Sequence, residues 1–126
     1  MFNFAGKRPH NLGVKEGKLT PCPGSPNCVN SQSSDPQAKI EPLPPVAIAV
    51  LRKIIEGMER TKIIEERENY LYAEFKTKLM GFVDDVEFYL DQDADVIHVR
   101  SASRLGQSDL GVNRKRIEAI RAQLGK

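Results

Sequence analysis

The sequence predicts an α+β fold in which two helices pack on one face of a four-stranded antiparallel meander, preceded by a long irregular N-terminal arm. Apolar residues recur at helical spacing in two segments, and four segments between them alternate apolar and polar residues. All eight prolines lie in the first 45 of the 126 positions. We therefore expect the order coil–α–β–β–β–β–α, with an irregular arm over residues 1–43 and one domain over residues 44–126.

The proline-rich arm shows no sustained hydrophobic period, and each proline removes a backbone donor and restricts the residue before it. We expect this segment either to wrap the domain or to be partly disordered. Its two cysteines, Cys22 and Cys28, have five residues between them. Three interpretations stay open, in order of preference: structural cysteines that are free or locally bridged, a redox pair, and metal ligands. Neither a metal nor a cofactor is expected.

Two helices are predicted, one before and one after the strands. The first begins near Pro45, because proline suits the first helical position. Its apolar stripe consists of Ala47, Val50, Leu51, Ile54 and Met58. The second helix covers residues 112–124, and Ser108 or Asp109 is expected to accept hydrogen bonds from its first amides. Its apolar stripe consists of Leu110, Ile117, Ile120 and Leu124.

Four strands are predicted over residues 61–66, 70–77, 82–90 and 95–104. Alternation places one set of apolar side chains on a common face: Leu71, Ala73, Phe75, Phe82, Val86, Phe88, Leu90, Ile97 and Val99. If residues 92–93 form a two-residue hairpin loop, Phe88 pairs with Ile97, and Asp85 lies opposite Arg100. Core residues and opposite charges then face each other, so this register is self-consistent.

The most unusual polar stretch joins the last strand to the last helix, over residues 100–116. It combines basic side chains, hydroxyls and two glycines beside a helix N-terminus, where a carboxylate or phosphate can bind. The candidate ligand-binding residues are Arg100, Ser103, Arg104, Ser108, Asp109, Asn113 and Arg116. The competing interpretation is that these groups satisfy one another, with Arg100 paired to Asp85. We prefer it, because ion pairs and helix caps are far commoner than ligand sites.

The adjacent acids Asp84 and Asp85 point to opposite faces of the third predicted strand, so they cannot share a substrate. Asp84 falls on the apolar face, where an unpaired carboxylate is strongly unfavourable. Its candidate partners are Ser101, Ser103 and Arg116. We therefore expect a structural ion pair there rather than a catalytic dyad.

Charge and hydropathy argue against two classes of protein. The net charge is only +2, from 19 basic and 17 acidic residues, so nothing indicates a protein that binds nucleic-acid phosphates. No apolar run reaches the roughly 18 residues that a transmembrane helix needs. The start of the chain lacks the apolar region of a signal peptide, and the expected location is cytoplasmic.

Three motifs occur in order along the chain: CPGSPNCVNSQ at 22–32, GFVDDVEF at 81–88, and RSASR at 100–104 followed by SDLGVNR at 108–114. Over about residues 12–124, this pattern resembles the family catalogued as domain of unknown function 1499. The opening residues 6–13 look like cyanobacterial members, and Asn30 stands where we associate a serine with the cysteine motif. The resemblance implies a bacterial or plastid protein, with some relatives exported or membrane-anchored. It implies no established catalytic activity.

Three functional hypotheses follow. The leading one is a non-enzymatic binding or accessory domain that recognises a small anionic ligand through residues 100–116. The second is a hydrolase or transferase that uses Asp84 or Asp85 with His98. The third is a protein-interaction scaffold in which the proline-rich arm docks a partner. If residues 22–32 pack against residues 100–116, two motif segments converge and the site hypothesis is strengthened.

Overall fold

The computed structural model describes residues 6–78, 81–106 and 109–126. Two helices and seven strands lie in this part of the chain, which confirms an α+β fold. In chain order they are β1 (Val14–Lys15), β2 (Lys18–Leu19), β3 (Cys28–Asn30), α1 (Ile48–Glu56), β4 (Thr61–Arg67), β5 (Tyr70–Lys76), β6 (Val83–Asp91), β7 (Val96–Ser103) and α2 (Val112–Leu124). Within the described residues, neither helix has the length and apolar character to cross a membrane.

The main sheet has five antiparallel strands in the order β3-β7-β6-β5-β4, and β1 and β2 form a separate hairpin. The predicted meander is present as β4 to β7. The prediction of a four-stranded sheet was nevertheless wrong, because the arm adds β3 to the outer edge of β7. β3 has only three residues and lies in the proline-rich arm, so no period-2 pattern marks it. The division into an arm over 1–43 and a domain over 44–126 stays a prediction.

The hairpin between β6 and β7 has a longer loop than predicted. Residues 92–95 form it, and the side chain of Asp91 accepts hydrogen bonds from the amides of Asp93 and Ala94, at 3.1 Å each. The observed cross-strand pairs include Asp91 with Val96, Phe88 with Val99, Glu87 with Arg100, and Asp85 with Ala102. The predicted register was therefore wrong by two residues, a shift that keeps every side chain on its predicted face.

Both helices pack on the apolar face of the sheet, as predicted. One buried cluster joins Leu51 of α1 and Ile120 of α2 to three residues of the sheet, Phe75, Phe88 and Val99. Each large side chain that leaves water in such a cluster contributes roughly 1.5–3 kcal/mol to folding. This two-layer core fixes the ends of the strands and helices relative to one another.

Three apolar residues that were assigned to the helical stripes lie outside them, the first of which is Ala47, exposed at the N-cap position of α1. Val50 is 48% exposed, because the face of α1 that packs on the sheet carries Ile48, Leu51 and Ile55. Leu110 is 86% exposed and precedes α2, whose buried residues are Asn113, Ile117 and Ile120. The observed stripe of α1 thus keeps Leu51 and Met58 from the prediction and adds Ile48 and Ile55.

The arm wraps the polar face of the sheet, which was one of its two predicted outcomes. β1 and β2 join through Glu16 and Gly17, whose φ angles of 53° and 76° are those of a two-residue hairpin turn. Leu19 packs with Tyr70 and Tyr72 in a second buried cluster. Both faces of the sheet are therefore covered over part of their area.

The segment that follows β3 also enters the core. Leu43 is fully buried, and its backbone N–H donates to the carbonyl of Ile97 at 2.8 Å. Ile97 returns the hydrogen bond to the carbonyl of Leu43 at 2.9 Å. The last part of the arm is thus bound to β7 by backbone and side chain together.

Leu43→Ala should lower the free energy of unfolding by about 2–5 kcal/mol, because the substitution leaves a cavity in a well-packed core. Urea denaturation measures the loss. The matched control is Val50→Ala, which removes a half-exposed side chain and should change the free energy by about 0.5 kcal/mol or less. Equal effects of the two substitutions would contradict a core position for Leu43.

Candidate functional site

The cysteine motif and the segment before α2 meet in the fold. β3 pairs with β7, so Cys28 lies opposite Ala102 and Asn30 lies opposite Arg100. Cys22 and Cys28 form a disulfide whose Cα atoms are 5.7 Å apart, so the two cysteines are bridged rather than free. Among the described residues there is no group of three or more side chains that could hold a metal ion.

A network of buried polar groups fixes the start of α2 to the cysteine motif. The carbonyl of Asn27 accepts hydrogen bonds from the amide of Ser103 at 3.0 Å and from Nδ2 of Asn113 at 3.3 Å. Asn113 is fully buried, and its Oδ1 accepts a hydrogen bond from the hydroxyl of Ser101 at 2.6 Å. These groups satisfy one another, as the competing interpretation of this stretch expects.

Asp109 caps the first turn of α2. Its Oδ1 accepts a hydrogen bond from the amide of Gly111 at 2.8 Å, and its Oδ2 accepts one from the amide of Asn113 at 3.1 Å. Of the two residues expected to cap this helix, Ser108 lies outside the described residues. The cap occupies amides that an anion would otherwise use, so the helix end alone offers little to a ligand.

The ion pair expected at Asp84 is present on the core side of the sheet. Nη2 of Arg116 lies 2.7 Å from Oδ2 of Asp84, and both side chains are almost fully buried. Among the described residues neither oxygen of Asp84 accepts an aligned hydrogen bond, so the contact is chiefly electrostatic. Nη1 of Arg116 donates to Oδ1 of Asn113 at 2.6 Å, and the guanidinium lies 4.9 Å from the ring centroid of Phe75.

On the polar face, two acids enclose Arg104. Nε and Nη2 of Arg104 donate to the two carboxylate oxygens of Asp85, each at 2.8 Å, and Nη2 also donates to Glu74 at 2.5 Å. Tyr72 donates its hydroxyl proton to Asp85, and Arg8 of the arm donates to Glu74. The hydrogen bonds with Asp85 raise the pKa of Arg104. Burial alone would raise the pKa of Glu74, but the hydrogen bonds from Arg8 and Arg104 outweigh it and lower that pKa.

The expected pair of Arg100 with Asp85 was wrong, because the register places Arg100 opposite Glu87. Burial lowers the pKa of Arg100 and raises the pKa of Glu87. Oε2 of Glu87 accepts hydrogen bonds from the amide of Gly13 at 2.7 Å and from the hydroxyl of Tyr70 at 2.5 Å. Within the described residues, Oε1 of Glu87 and Nε of Arg100 have no hydrogen-bond partner.

The candidate ligand-binding residues divide between two places. Arg100 and the side chain of Arg104 are each only 7% exposed, and they lie under the arm on the polar face. Gly6 passes so close that a Cβ atom there would lie 3.2 Å from Cβ of Arg104. The other described candidates lie near the start of α2, on the opposite side of the sheet: Ser103, Asp109, Asn113 and Arg116.

His98 lies on the polar face of the sheet and is not part of an acid–base cleft with Asp84 and Asp85. Its ring stacks with Tyr89 at a centroid distance of 6.3 Å, and its Nδ1 lies 3.0 Å from the hydroxyl oxygen of Ser31. Burial lowers the pKa of His98. Asp84 and Asp85 point to opposite faces, and each is paired with an arginine. The geometry therefore opposes the hydrolase or transferase hypothesis, which needs these groups in one cleft.

A cavity of about 700 Å³, here called the basic cavity, opens where α1 ends, the β5–β6 hairpin turns and α2 begins. Its lining consists of Met58, Glu59, Arg60, Phe75, Lys76, Thr77, Lys78, Val112, Lys115 and Arg116. The start of β4, the end of β5 and the start of β6 lie at the same end of the antiparallel strands. At this end of the sheet, distant parts of the chain come together around the basic cavity.

Thr77 fixes the hairpin that carries two of the lysines. Its amide donates to the carbonyl of Phe82 at 2.7 Å, and its Oγ1 accepts a hydrogen bond from the amide of Phe82 at 2.9 Å. Gly81 has a φ of 70°, a conformation that glycine adopts without strain, and donates its amide to the carbonyl of Thr77 at 3.2 Å. The hairpin thus anchors Lys76 and Lys78 beside the basic cavity.

The basic cavity carries an excess of positive charge. Nη1 of Arg60 lies 2.9 Å from Oε2 of Glu59, and Arg116 is paired with Asp84, so the charges of both arginines are balanced locally. In the described part of the chain, no acidic side chain forms an ion pair with the remaining cations of the lining, which are Lys76, Lys78 and Lys115. A ligand that enters the basic cavity therefore lies beside three lysines that have no acidic partner within the described part of the chain.

Among the basic residues of this lining, the sequence analysis named only Arg116 as a candidate, although Lys115 lies within the predicted stretch 100–116. Arg60 lies just before a predicted strand, and Lys76 and Lys78 lie at the end of another. The topology of the meander could have indicated the cavity. In a meander, the start of one strand and the end of the next lie at the same end of the sheet. Basic residues near several such ends were therefore a detectable sign of a shared positive surface.

A family model described as "Protein of unknown function (DUF1499)" matches residues 18–124. The chain belongs to this family. The matched region of this DUF1499 domain includes the β3–β7 pairing and the whole lining of the basic cavity. Comparison with curated proteins and with solved structures gave no match. The likeness to cyanobacterial members stays a prediction.

Replacing both cysteines of the DUF1499 domain, Cys22→Ser with Cys28→Ser, should lower the free energy of unfolding by about 2 kcal/mol, as expected for a short closed loop. Denaturation with and without dithiothreitol measures the effect. The wild-type protein should lose a similar amount on reduction, and the double variant should not respond to the reductant. Equal stability of the oxidised and reduced wild-type protein would show that the disulfide has no structural role.

Glu87→Gln should alter how the stability of the DUF1499 domain depends on pH. Burial raises the pKa of Glu87 above its ordinary value of 4.5. This carboxyl therefore favours folding below the unfolded pKa, and the contribution is lost as pH rises through the folded pKa. As pH rises above 4.5, the unfolding free energy of the variant should therefore rise relative to that of the wild-type protein.

Denaturant titrations at a series of pH values test this prediction. Glu68→Gln is the matched control, because Glu68 lies exposed in the turn between β4 and β5. Its free-energy difference from the wild-type protein should stay constant with pH. A constant difference for Glu87→Gln as well would mean that the buried carboxyl has the same pKa in the folded and unfolded chains.

Proposed function

We propose that this DUF1499 domain is a non-enzymatic binding domain that holds a small anionic ligand in the basic cavity. The observation that supports the proposal is that three lysines, Lys76, Lys78 and Lys115, line one cavity, and that none of them forms an ion pair with an acid among the described residues. Like charges gathered around one concave surface repel one another, and a bound anion relieves that repulsion. Phosphate and carboxylate groups accept hydrogen bonds from ammonium donors and supply the opposite charge.

The expected affinity is modest. Each exposed ion pair contributes about 0–1 kcal/mol, because water and salt screen the charges and the lysine side chains lose rotamer freedom. Three such contacts contribute at most about 3 kcal/mol, which corresponds to a dissociation constant of roughly 6 millimolar or weaker for a small inorganic anion. Binding should weaken as ionic strength rises, since the cavity is open to solvent.

The proposed site leaves out Arg100 and Arg104, which belong to the predicted ligand-binding stretch. Arg104 already bonds Asp85 and Glu74, and Arg100 lies buried under the arm, so an incoming anion would have to displace the arm or an internal acid to reach them. Arg116 stays in the proposal as the back of the cavity, where Asn113 helps to hold it.

The scaffold hypothesis receives less support from the arm itself. Leu19, Val29 and Leu43 of the arm are buried in the two apolar clusters. An arm that contributes to the core in this way is not free to dock a partner without partial unfolding of the domain.

Thermal unfolding with phosphate, sulfate or citrate at constant ionic strength tests the proposed function. A ligand at ten times its dissociation constant should raise the melting temperature of the wild-type protein by a few degrees. The double variant Lys78→Glu with Lys115→Glu should lose this response, because it replaces two of the three uncompensated charges with acids.

A charge-matched control separates the basic cavity from the overall charge of the protein. Lys53→Glu with Lys126→Glu changes the net charge by the same amount at exposed positions outside the lining. This variant should keep the anion response. The proposed function fails if no anion of the panel shifts the wild-type melting temperature, or if the two double variants respond alike.

A further inference from the structure

The wall of the basic cavity is not uniformly polar. Met58 at the end of α1, the buried ring of Phe75 and the partly exposed Val112 lie among the cations of the lining. The lysines add the aliphatic parts of their own side chains, which can pack on apolar groups while the ammonium stays in water. One concave surface therefore offers both positive charge and apolar contact.

The size of the basic cavity exceeds what a small anion needs. Its volume of about 700 Å³ lies in the range of sites that hold organic ligands of tens of atoms. A lone phosphate or sulfate would leave most of this space to water and would not use Met58 or Val112. The unused apolar wall points to a ligand that has a second, apolar part.

One exposed apolar side chain belongs to the lining of the basic cavity. The large hydrophobic side chains that are exposed among the described residues are Val50, Leu105, Leu110 and Val112. Val50, Leu105 and Leu110 lie outside the lining. Val112 itself is 37% exposed and belongs to the lining of the basic cavity. An apolar chain on Val112 would shield a surface that water now covers.

We infer that the ligand of the basic cavity is an anionic amphiphile, with a phosphate or carboxylate headgroup on the lysines and an alkyl chain against Met58, Phe75 and Val112. The inference rests on the proposed function, because it assigns the chemical class of the ligand at that same site. The headgroup chemistry is shared by a free amphiphile and by an anionic lipid in a bilayer.

A series of alkyl phosphates, from methyl through butyl to octyl phosphate, tests the inference below their aggregation concentrations. Isothermal titration calorimetry measures the affinities for the full chain. The dissociation constant should fall about two- to fourfold for each methylene that the cavity wall covers. Octyltrimethylammonium, which has the same chain and the opposite charge, should not bind.

Val112→Ser should reduce the gain in affinity per methylene while keeping the affinity for methyl phosphate. The matched control is Val50→Ser, which removes an exposed valine outside the lining and should leave the whole series unchanged. Lys78→Glu with Lys115→Glu should weaken every member of the series by a similar factor, because all members share one headgroup.

The possible results separate the inference from the proposed function. Methyl and octyl phosphate that bind equally well would overturn the amphiphile and leave the anion site intact. No binding of any phosphate would overturn both. An unchanged chain-length dependence in Val112→Ser would also overturn the inference, since the chain would then lie elsewhere. Sedimentation with phosphatidylglycerol vesicles distinguishes the sources: cosedimentation that needs the lysines supports a bilayer lipid, and binding of monomers alone supports a free amphiphile.

Discussion

The pairing of β3 with β7 is the interaction on which the rest of the structure depends. It joins a short strand of the arm to the edge of the meander, and it places Asn27 where the amide of Ser103 and the side chain of Asn113 can both donate to its carbonyl. Asn113 in turn orients Arg116 toward Asp84. The position of one edge strand is thus transmitted through buried hydrogen bonds to the start of α2 and to the back of the basic cavity.

Adjacent aspartates serve two different charge systems because the strand pleat sends them to opposite faces. Asp84 pairs with Arg116 beneath the helices, where an isolated charge would be strongly unfavourable. Asp85 pairs with Arg104 on the face that the arm covers, and Glu74 links that pair to Arg8 of the arm. The first system fixes a helix to the sheet, and the second fixes the arm to the sheet. The two adjacent aspartates therefore hold α2 on one face of the same strand and the arm on the other.

The hydrophobic periodicity of the sequence was sufficient to predict the strands and helices wherever alternate side chains face core and solvent. The strands β4 to β7 and the helix α2 lie within one residue of their predicted bounds. β3 is buried at all three positions and shows no alternation, and a two-residue slip leaves every face unchanged, so neither β3 nor the register could be read from the pattern. The partner of Asp84 was foreseeable because a buried carboxylate requires one. The lysines of the basic cavity impose no such requirement, since their placement follows from tertiary structure alone.

The use of arginine and lysine differs between the two kinds of site. Arg104 and Arg116 form close pairs with internal acids, and the planar guanidinium suits such bidentate or stacked contacts. Three lysines surround the basic cavity instead, as compact charges on flexible stems. Among the described residues every ion pair is made by an arginine or by His98 and none by a lysine, so these three lysines differ from the others only in that they line one concave surface. Charges of one sign that line a concave surface concentrate the positive potential there, and such a potential attracts an anion.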